Sequence, residues 1–150
     1  MSLCISPANS DDITELCTLL HSLFKQETEF SPNTELQTRG LKLIIDNPQT
    51  GIIFVAHHNH RIVGMVSVLF TVSTALGTEV GLLEDLIVAP NARGLGIGTA
   101  LLEHALAFAK ARKLARISLL TDADNEAAQR LYQQAGFQRS NMTCYRAFNN

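Results

Sequence analysis

The sequence predicts a mixed β-sheet with helices packed on it, and three observations carry that reading. Hydrophobic periodicity switches repeatedly between helical and extended, the element order reads β α α β β β α β α β, and no internal repeat or Pro-, Gly- or Ser-rich linker interrupts it. The 150 residues, 46% apolar and 17% charged, suit one globular domain spanning 1–150. The longest apolar run, Ile52 to Ala56, falls far short of the roughly 18 residues of a membrane span, and the opening MSLCISPANSDD does not resemble a signal peptide. A soluble, cytoplasmic protein is therefore expected, with no membrane partner. Three widely spaced cysteines (Cys4, Cys17, Cys144) make neither a disulfide framework nor a CxxC metal site, as expected in a reducing compartment.

Each element has its own signal. Leu3 to Ser6 reads as a short strand. Asp11 and Asp12 suit the first turn of a helix whose stripe runs through Ile13, Leu16, Leu19/Leu20 and Leu23/Phe24 to about Lys25. Ser31-Pro32 opens a second helix through Leu36, Leu41 and Ile44/Ile45, which Asn47-Pro48 ends because the residue before proline disfavours helical angles. From Gly51 the pattern becomes extended: Ile52 to His57 and Arg61 to Thr74 flank a hairpin turn at His58-Asn59-His60. A Gly77 turn leads to a strand from Thr78 to Ala89, stopped by Pro90. A helix follows from Ile97 to Arg112, then a strand at Ala115 to Thr121. Asn125 to Ala135 reads as the last helix, ended by Gly136, and Phe137 to Phe148 as a closing strand or strands.

Charge is unevenly distributed. Residues 1–90 carry 4 basic and 10 acidic side chains, whereas residues 91–150 carry 8 and 4. No block of like charge or basic, aromatic-interleaved stripe accompanies this, so nucleic acid is not an expected partner. An anionic ligand on the C-terminal part and a cationic one on the N-terminal part would suit the split, as would ordinary solvated surface charge. His57, His58 and His60 sit in a hairpin with no fourth ligand in sight, so no metal is expected. Cys144 has no matched base that would make it a nucleophile.

The most informative stretch is Leu82 to Thr99, LLEDLIVAPNARGLGIGT, where a strand enters a loop with Gly94, Gly96 and Gly98 that opens a helix. Such a junction aims free backbone N–H groups and the positive end of the helix dipole at one point, which suits a phosphate or diphosphate. Glycine lets the ligand approach the backbone closely, and Arg93 adds a full charge at the rim. No Lys follows Gly98, so this is not a P-loop, and the glycine spacing is wrong for a dinucleotide fingerprint.

The pattern that fits is Arg-x-x-Gly-x-Gly after a strand ending Leu-Ile-Val-Ala-Pro, followed by Asn125-Glu126-Ala127-Ala128-Gln129-Arg130-Leu131-Tyr132-Gln133-Gln134-Ala135-Gly136-Phe137. From Gly51 to Phe148 the chain resembles the GCN5-related N-acetyltransferase (GNAT) family. It is closest in motif to the small-molecule amine acetyltransferases of the diamine and thialysine type, which share a similar Leu-Glu-Asp. The resemblance implies an acyl-CoA N-acyltransferase fold: a mixed, mostly antiparallel sheet with helices on both faces. The strand bearing Leu86, Ile87 and Val88 would be bulged and splay from its neighbour at the cofactor cleft.

Acetyl-CoA is the implied cosubstrate. Its pantetheine arm would lie along Leu86, Ile87 and Val88. Arg93, Gly94, Leu95, Gly96, Ile97, Gly98 and Thr99 would hold the diphosphate, with Asn125 a further contact. An amine would attack the thioester directly, through a tetrahedral intermediate, with Tyr132 as the acid that protonates the leaving sulfur. Deprotonating an alkylammonium of pKa about 10.4 costs roughly 4 kcal/mol near neutral pH, so a base is useful. Glu84 and Asp85 are neighbours on a strand and should face opposite sides; the resemblance favours Glu84 as base, acting through water, against a plain ion-pair role. Phe24, Glu27, Glu29 and Phe30 surround the loop that borders the acceptor pocket in similar proteins, where the acids would grip an ammonium or simply end a solvated helix. Ala92 and Leu95 depart from the commonest pattern, which has larger or basic residues there. The expected acceptor is a small-molecule primary amine; a protein or peptide acceptor, a non-catalytic acyl-CoA-binding module and a homodimer stay open.

Overall fold

Five extended segments pair into one sheet: β1 (Leu3–Pro7), β2 (Gly51–His58), β3 (Arg61–Ser73), β4 (Thr78–Val88) and β5 (Ile117–Leu119), adjacent in space in chain order. The first four are antiparallel and β5 runs parallel to β4, so the sheet is mixed and mostly antiparallel, as expected. The computed structural model describes residues 2–25 and 32–149. The chain divides into two compact units, Met1–Leu120 and Thr121–Asn150.

In the first unit, helices α1 (Ile13–Phe24), α2 (Thr34–Ile45) and α3 (Ile97–Arg112) cover both sheet faces. Strand alternation decides which residues meet which helix. Phe54 packs edge-on against His104 and Phe108 of α3, at ring separations of 4.6 and 5.3 Å. Its neighbours Ile53 and Val55, with Met65 of β3, instead join Leu16 and Leu20 of α1 and Leu41 of α2 in one buried cluster. Each such fully buried side chain contributes about 2 kcal/mol relative to exposure. The far end of α3 is tied down by Arg112, whose guanidinium lies 3.8 Å over the Phe70 ring and bonds Glu79 at 3.0 Å.

Local chemistry explains the element boundaries. Asn9 caps the turn that precedes α1, forming a reciprocal box with Asp12. Helix α2 starts at Thr34, later than expected, because Asn33 takes the cap and its side chain accepts the Leu36 N–H at 3.1 Å. The β2–β3 hairpin turns on Asn59 and Asn59's neighbour His60, with φ of 50° and 64°, the twist-matched geometry of a two-residue loop. In the second unit α4 (Glu126–Gln134) is capped by Asn125, and Gly136, at φ 102°, follows its end. The closing strand expected over Phe137 to Phe148 does not form. A strand needs a neighbouring ladder to take its backbone groups, and α4 is the only regular element this unit contains among the described residues; Met142 and Tyr145 stand 90% and 91% exposed.

Candidate cofactor cleft and acceptor cavity

Two departures from regular pairing shape β4. On one side, Ser67 of β3 pairs with Glu84 and Met65 with Ile87, so Asp85 and Leu86 together oppose the single residue Val66. This is a β-bulge, and Asp85 accommodates it by taking a left-handed backbone at φ 46°. The Ser67 hydroxyl, on a residue only 1% exposed, fastens the distortion by donating to the Glu84 carbonyl at 3.1 Å. On the other side, β5 pairs only with Gly81, Leu82 and Leu83. The ladder stops where the bulge begins, so that among the described residues no strand pairs with the edge of Leu86 to Val88 on this side, an edge suited to an added extended chain. For the same reason β5 is shorter than the expected Ala115 to Thr121.

The bulge overturns one expectation. Simple alternation would send Glu84 and Asp85 to opposite faces. Instead Glu84 shares a register position with Ser67, and Asp85 lines a cavity together with that same Ser67. The extra residue cancels one step of alternation, so both carboxylates belong to the face covered by α1 and α2.

Beyond β4 the chain makes one short turn at Pro90–Ala92, then passes Gly94 and Gly96, at φ 81° and 79°, into α3. Both angles are ones that side-chain-bearing residues avoid, and an added Cβ at either glycine would meet nothing within 4 Å. The space before this loop is therefore open. Gly96 is the N-cap of α3 and supplies no side-chain cap, and no acidic residue stands in the first turn, so the leading N–H groups are offered outward. A diphosphate fits this arrangement, since it supplies the acceptors and the negative charge that the helix start lacks. Gly64 sets where that start lies. It pairs with Val88, and a Cβ on it would come within 2.8 Å of Leu101 and 3.3 Å of Ile97; without one, the first turn of α3 seats beside the end of β4.

The remaining predicted residues fall as follows. Arg93 donates from Nε to the Val88 carbonyl at 3.3 Å, bracing the loop while staying exposed. Leu95 is 52% exposed and Thr99 is exposed, whereas Ala92 is buried. Phe24, at the end of α1, lines the Asp85 cavity. Glu27, Glu29 and Phe30 lie outside the described residues. In the second unit, Asn125 Oδ1 accepts the Ala128 N–H at 3.1 Å, and Tyr132, two turns along α4, packs edge-on against Phe137 at 5.8 Å. Burial raises the Tyr132 phenol above its ordinary 10.0. The residues that sequence reasoning missed are Ser67, Gly64 and Asp85. The one available signal was the adjacency of two carboxylates in an apolar strand, which singles out the position without revealing the extra residue.

A strand edge beside an open helix start can hold a long thin anion, an extended arm along the strand and a diphosphate at the helix. The chain belongs to the acetyltransferase (GNAT) family, whose sequence model matches residues 15–137. Enzymes of this family are acetyl-CoA-dependent, and the chain is an N-acetyltransferase of that type. It is 31% identical over 119 residues to the uncharacterized N-acetyltransferase YhfO of Bacillus subtilis, covering 77% of this chain and 79% of that one. It is 37% identical over 87 residues to N-alpha-acetyltransferase 30 of Schizosaccharomyces pombe, 57% of each chain. A crystal structure of a predicted acetyltransferase with acetyl-CoA from Clostridium acetobutylicum superposes with a TM-score of 0.81 at 21% identity, over 97% of this chain and 96% of the other, which shows a shared fold.

Proposed function

We propose that the protein transfers the acetyl group of acetyl-CoA to the primary amine of a small molecule. The observation that carries this reading is the free β4 edge beyond Leu83, leading straight to the uncapped start of α3. Backbone groups of Leu86, Ile87 and Val88 hydrogen-bond the pantetheine arm, and the backbone from Gly94 to Thr99, with Arg93 and Leu95 at its rim, holds the diphosphate. Asn125 adds a contact through its amide N–H2, because its oxygen caps α4. The Leu83-Glu84-Asp85 motif leans the acceptor toward diamine-like amines, and Glu84 of that motif, acting through water, serves as base.

The reaction balances as one bond exchange. The ammonium gives a proton to that carboxylate, the amine nitrogen forms the C–N bond, and the C–S bond breaks with its electron pair going to sulfur. Tyr132 protonates the sulfur and regains its proton as the acetylated nitrogen loses its second one. The net products are the amide, free coenzyme A and one proton. A raised phenol pKa serves this role, since the group stays protonated throughout the neutral range.

A thiol-release assay across amines, peptides and aminoglycosides tests the proposal. A small primary amine should give acetyl-CoA-dependent thiol above background; thiol release only with peptides would transfer the assignment to the second reading, a peptide N-terminus, which the similarity to N-alpha-acetyltransferase 30 favours. Tyr132 also makes a prediction about alkaline pH. Its folded-state pKa lies above the unfolded 10.0, so its contribution to stability is complete below pH 10.0 and is lost as pH rises through the folded value. Urea midpoints measured at about pH 9 and about pH 11 should fall less for Tyr132→Phe than for the wild type; equal falls would remove this assignment.

A further inference from the structure

Met65, Val66, Ser67 and Val68 run consecutively through the middle of β3, none of them more than 1% exposed. A hydroxyl in such a run costs desolvation that a methyl group would not, unless it makes a bond of its own. Ser67 and Ser73 are the two buried polar residues among those described. Ser73 holds a turn, its oxygen accepting the Leu76 N–H at 3.1 Å. Ser67 instead reaches across to the next strand, and the group it bonds is the Glu84 carbonyl, one peptide ahead of the left-handed Asp85.

A peptide unit is a rigid plane whose carbonyl and N–H point in opposite directions, so holding the Glu84 oxygen also fixes the direction of the Asp85 N–H. Further along, the β3 ladder takes over: Met65 pairs with Ile87, and the Ala89 N–H donates to the Val63 carbonyl at 2.8 Å. Only Asp85 and Leu86 lie between the pinned carbonyl and this regular stretch. The directions of their two N–H groups therefore follow from Ser67 on one side and from the ladder on the other. The same bond fixes where the extra residue sits. Moving the bulge one position along β4 would exchange the faces of the residues it passes, and the Ser67 hydroxyl, matched to Glu84 by register and by bond, keeps the bulge at Asp85 and Leu86.

From the buried hydroxyl and the bulge it holds we infer that Ser67 is a positioning residue for the acetyl group, aiming the Asp85 and Leu86 N–H groups at the thioester carbonyl oxygen. This rests on the proposed course of the pantetheine arm along Leu86 to Val88 and deepens it. An arm anchored by its diphosphate at the start of α3 runs back along Val88 and Ile87 and brings its acyl end to the first residues of the free edge. Donors held there stabilise the negative charge that the oxygen gains as the amine attacks, and a peptide that cannot turn does so without reorganising. Without the hydroxyl, the Glu84 carbonyl loses its partner, and rotation of the peptide toward a new one would carry the N–H groups away.

Isotope-edited infrared spectroscopy reads this polarisation directly and needs no acceptor. Acetyl-CoA labelled at the thioester carbonyl should absorb at lower wavenumber when bound to the wild type than when free in buffer. Ser67→Ala should lose most of that shift while binding coenzyme A within about twofold of the wild type by calorimetry, because the start of α3 is untouched. Ser67→Thr and Ser67→Val separate the hydroxyl from side-chain size: the two share a shape, both suit a strand, and position 67 borders the cavity under α1 and α2. Threonine should keep the shift and valine lose it, a comparison that decides the matter even if alanine unfolds the strand. With any amine that the wild type acetylates, Ser67→Ala and Ser67→Val should lower kcat by roughly tenfold or more at unchanged KM for acetyl-CoA. The inference is overturned if the bound wild-type band stays where it is in buffer, if alanine or valine keeps the shift, or if threonine loses it. It is equally overturned if the shift and coenzyme A affinity disappear together, since Ser67 would then be structural alone. Acetyl transfer to a small amine survives any of these results. Conversely, a Ser67-dependent shift without thiol release from any small amine refutes that acceptor and leaves the positioning role intact.

Discussion

Tyr132→Phe lowers kcat by roughly 10²-fold and leaves affinity for coenzyme A unchanged, if Tyr132 is the acid that the proposed reaction requires. The reasoning starts from the leaving group. A thiol of pKa about 8.5 departs reasonably well as thiolate, so an acid contributes part of the barrier reduction and not all of it. Burial keeps the phenol protonated through the neutral range, so the donor is fully present at working pH. Phenylalanine preserves the edge-on contact with Phe137 and removes only the hydroxyl, so the variant should melt with the wild type. An interaction made only in the transition state lowers kcat and kcat/KM equally, whereas a lost substrate contact would raise KM. Wild-type turnover in the variant would take the role from Tyr132, and a rise in KM alone would recast it as a binding residue.

The parts of this molecule that were legible in the sequence are those where local chemistry and tertiary packing agree. The helical stripe from Ile13 to Phe24, the hairpin at His58 to Arg61 and the α3 segment Ile97 to Arg112 each have a period or turn signal that the fold then uses. The glycine loop was readable for the same reason, because positive φ at Gly94 and Gly96 is a demand that only a few residue types meet easily. What escaped is non-local. Alternation along β4 is an assumption about an unbroken ladder, and the extra residue at Asp85 becomes visible only through its partners Met65 and Ser67. The length of β5 was unreadable because it depends on how far β4 stays in register with it, which ends at Leu83. Phe137 to Phe148 has strand-like composition, yet composition cannot supply a neighbour to pair with.

The glycine loop bears the second large effect. Gly96→Val should weaken coenzyme A binding by about tenfold to a hundredfold, the equivalent of one or two charge-assisted hydrogen bonds between phosphate oxygens and the α3 N–H groups. Valine acts through two physical routes that a single variant cannot separate. Its branched side chain would occupy the space that Gly96 leaves open, and its backbone would resist a φ of 79°. Gly96→Asn separates them. Asparagine tolerates the left-handed conformation and is a favoured N-cap, so the start of α3 should keep its geometry and the thermal midpoint should hold or rise. The same side-chain oxygen would then accept an N–H that the diphosphate needs, and its bulk would stand in the open cradle. Affinity should therefore fall while stability does not. Calorimetry against unfolding temperature reads both, and wild-type affinity in a well-folded Gly96→Asn variant would move the diphosphate away from the start of α3.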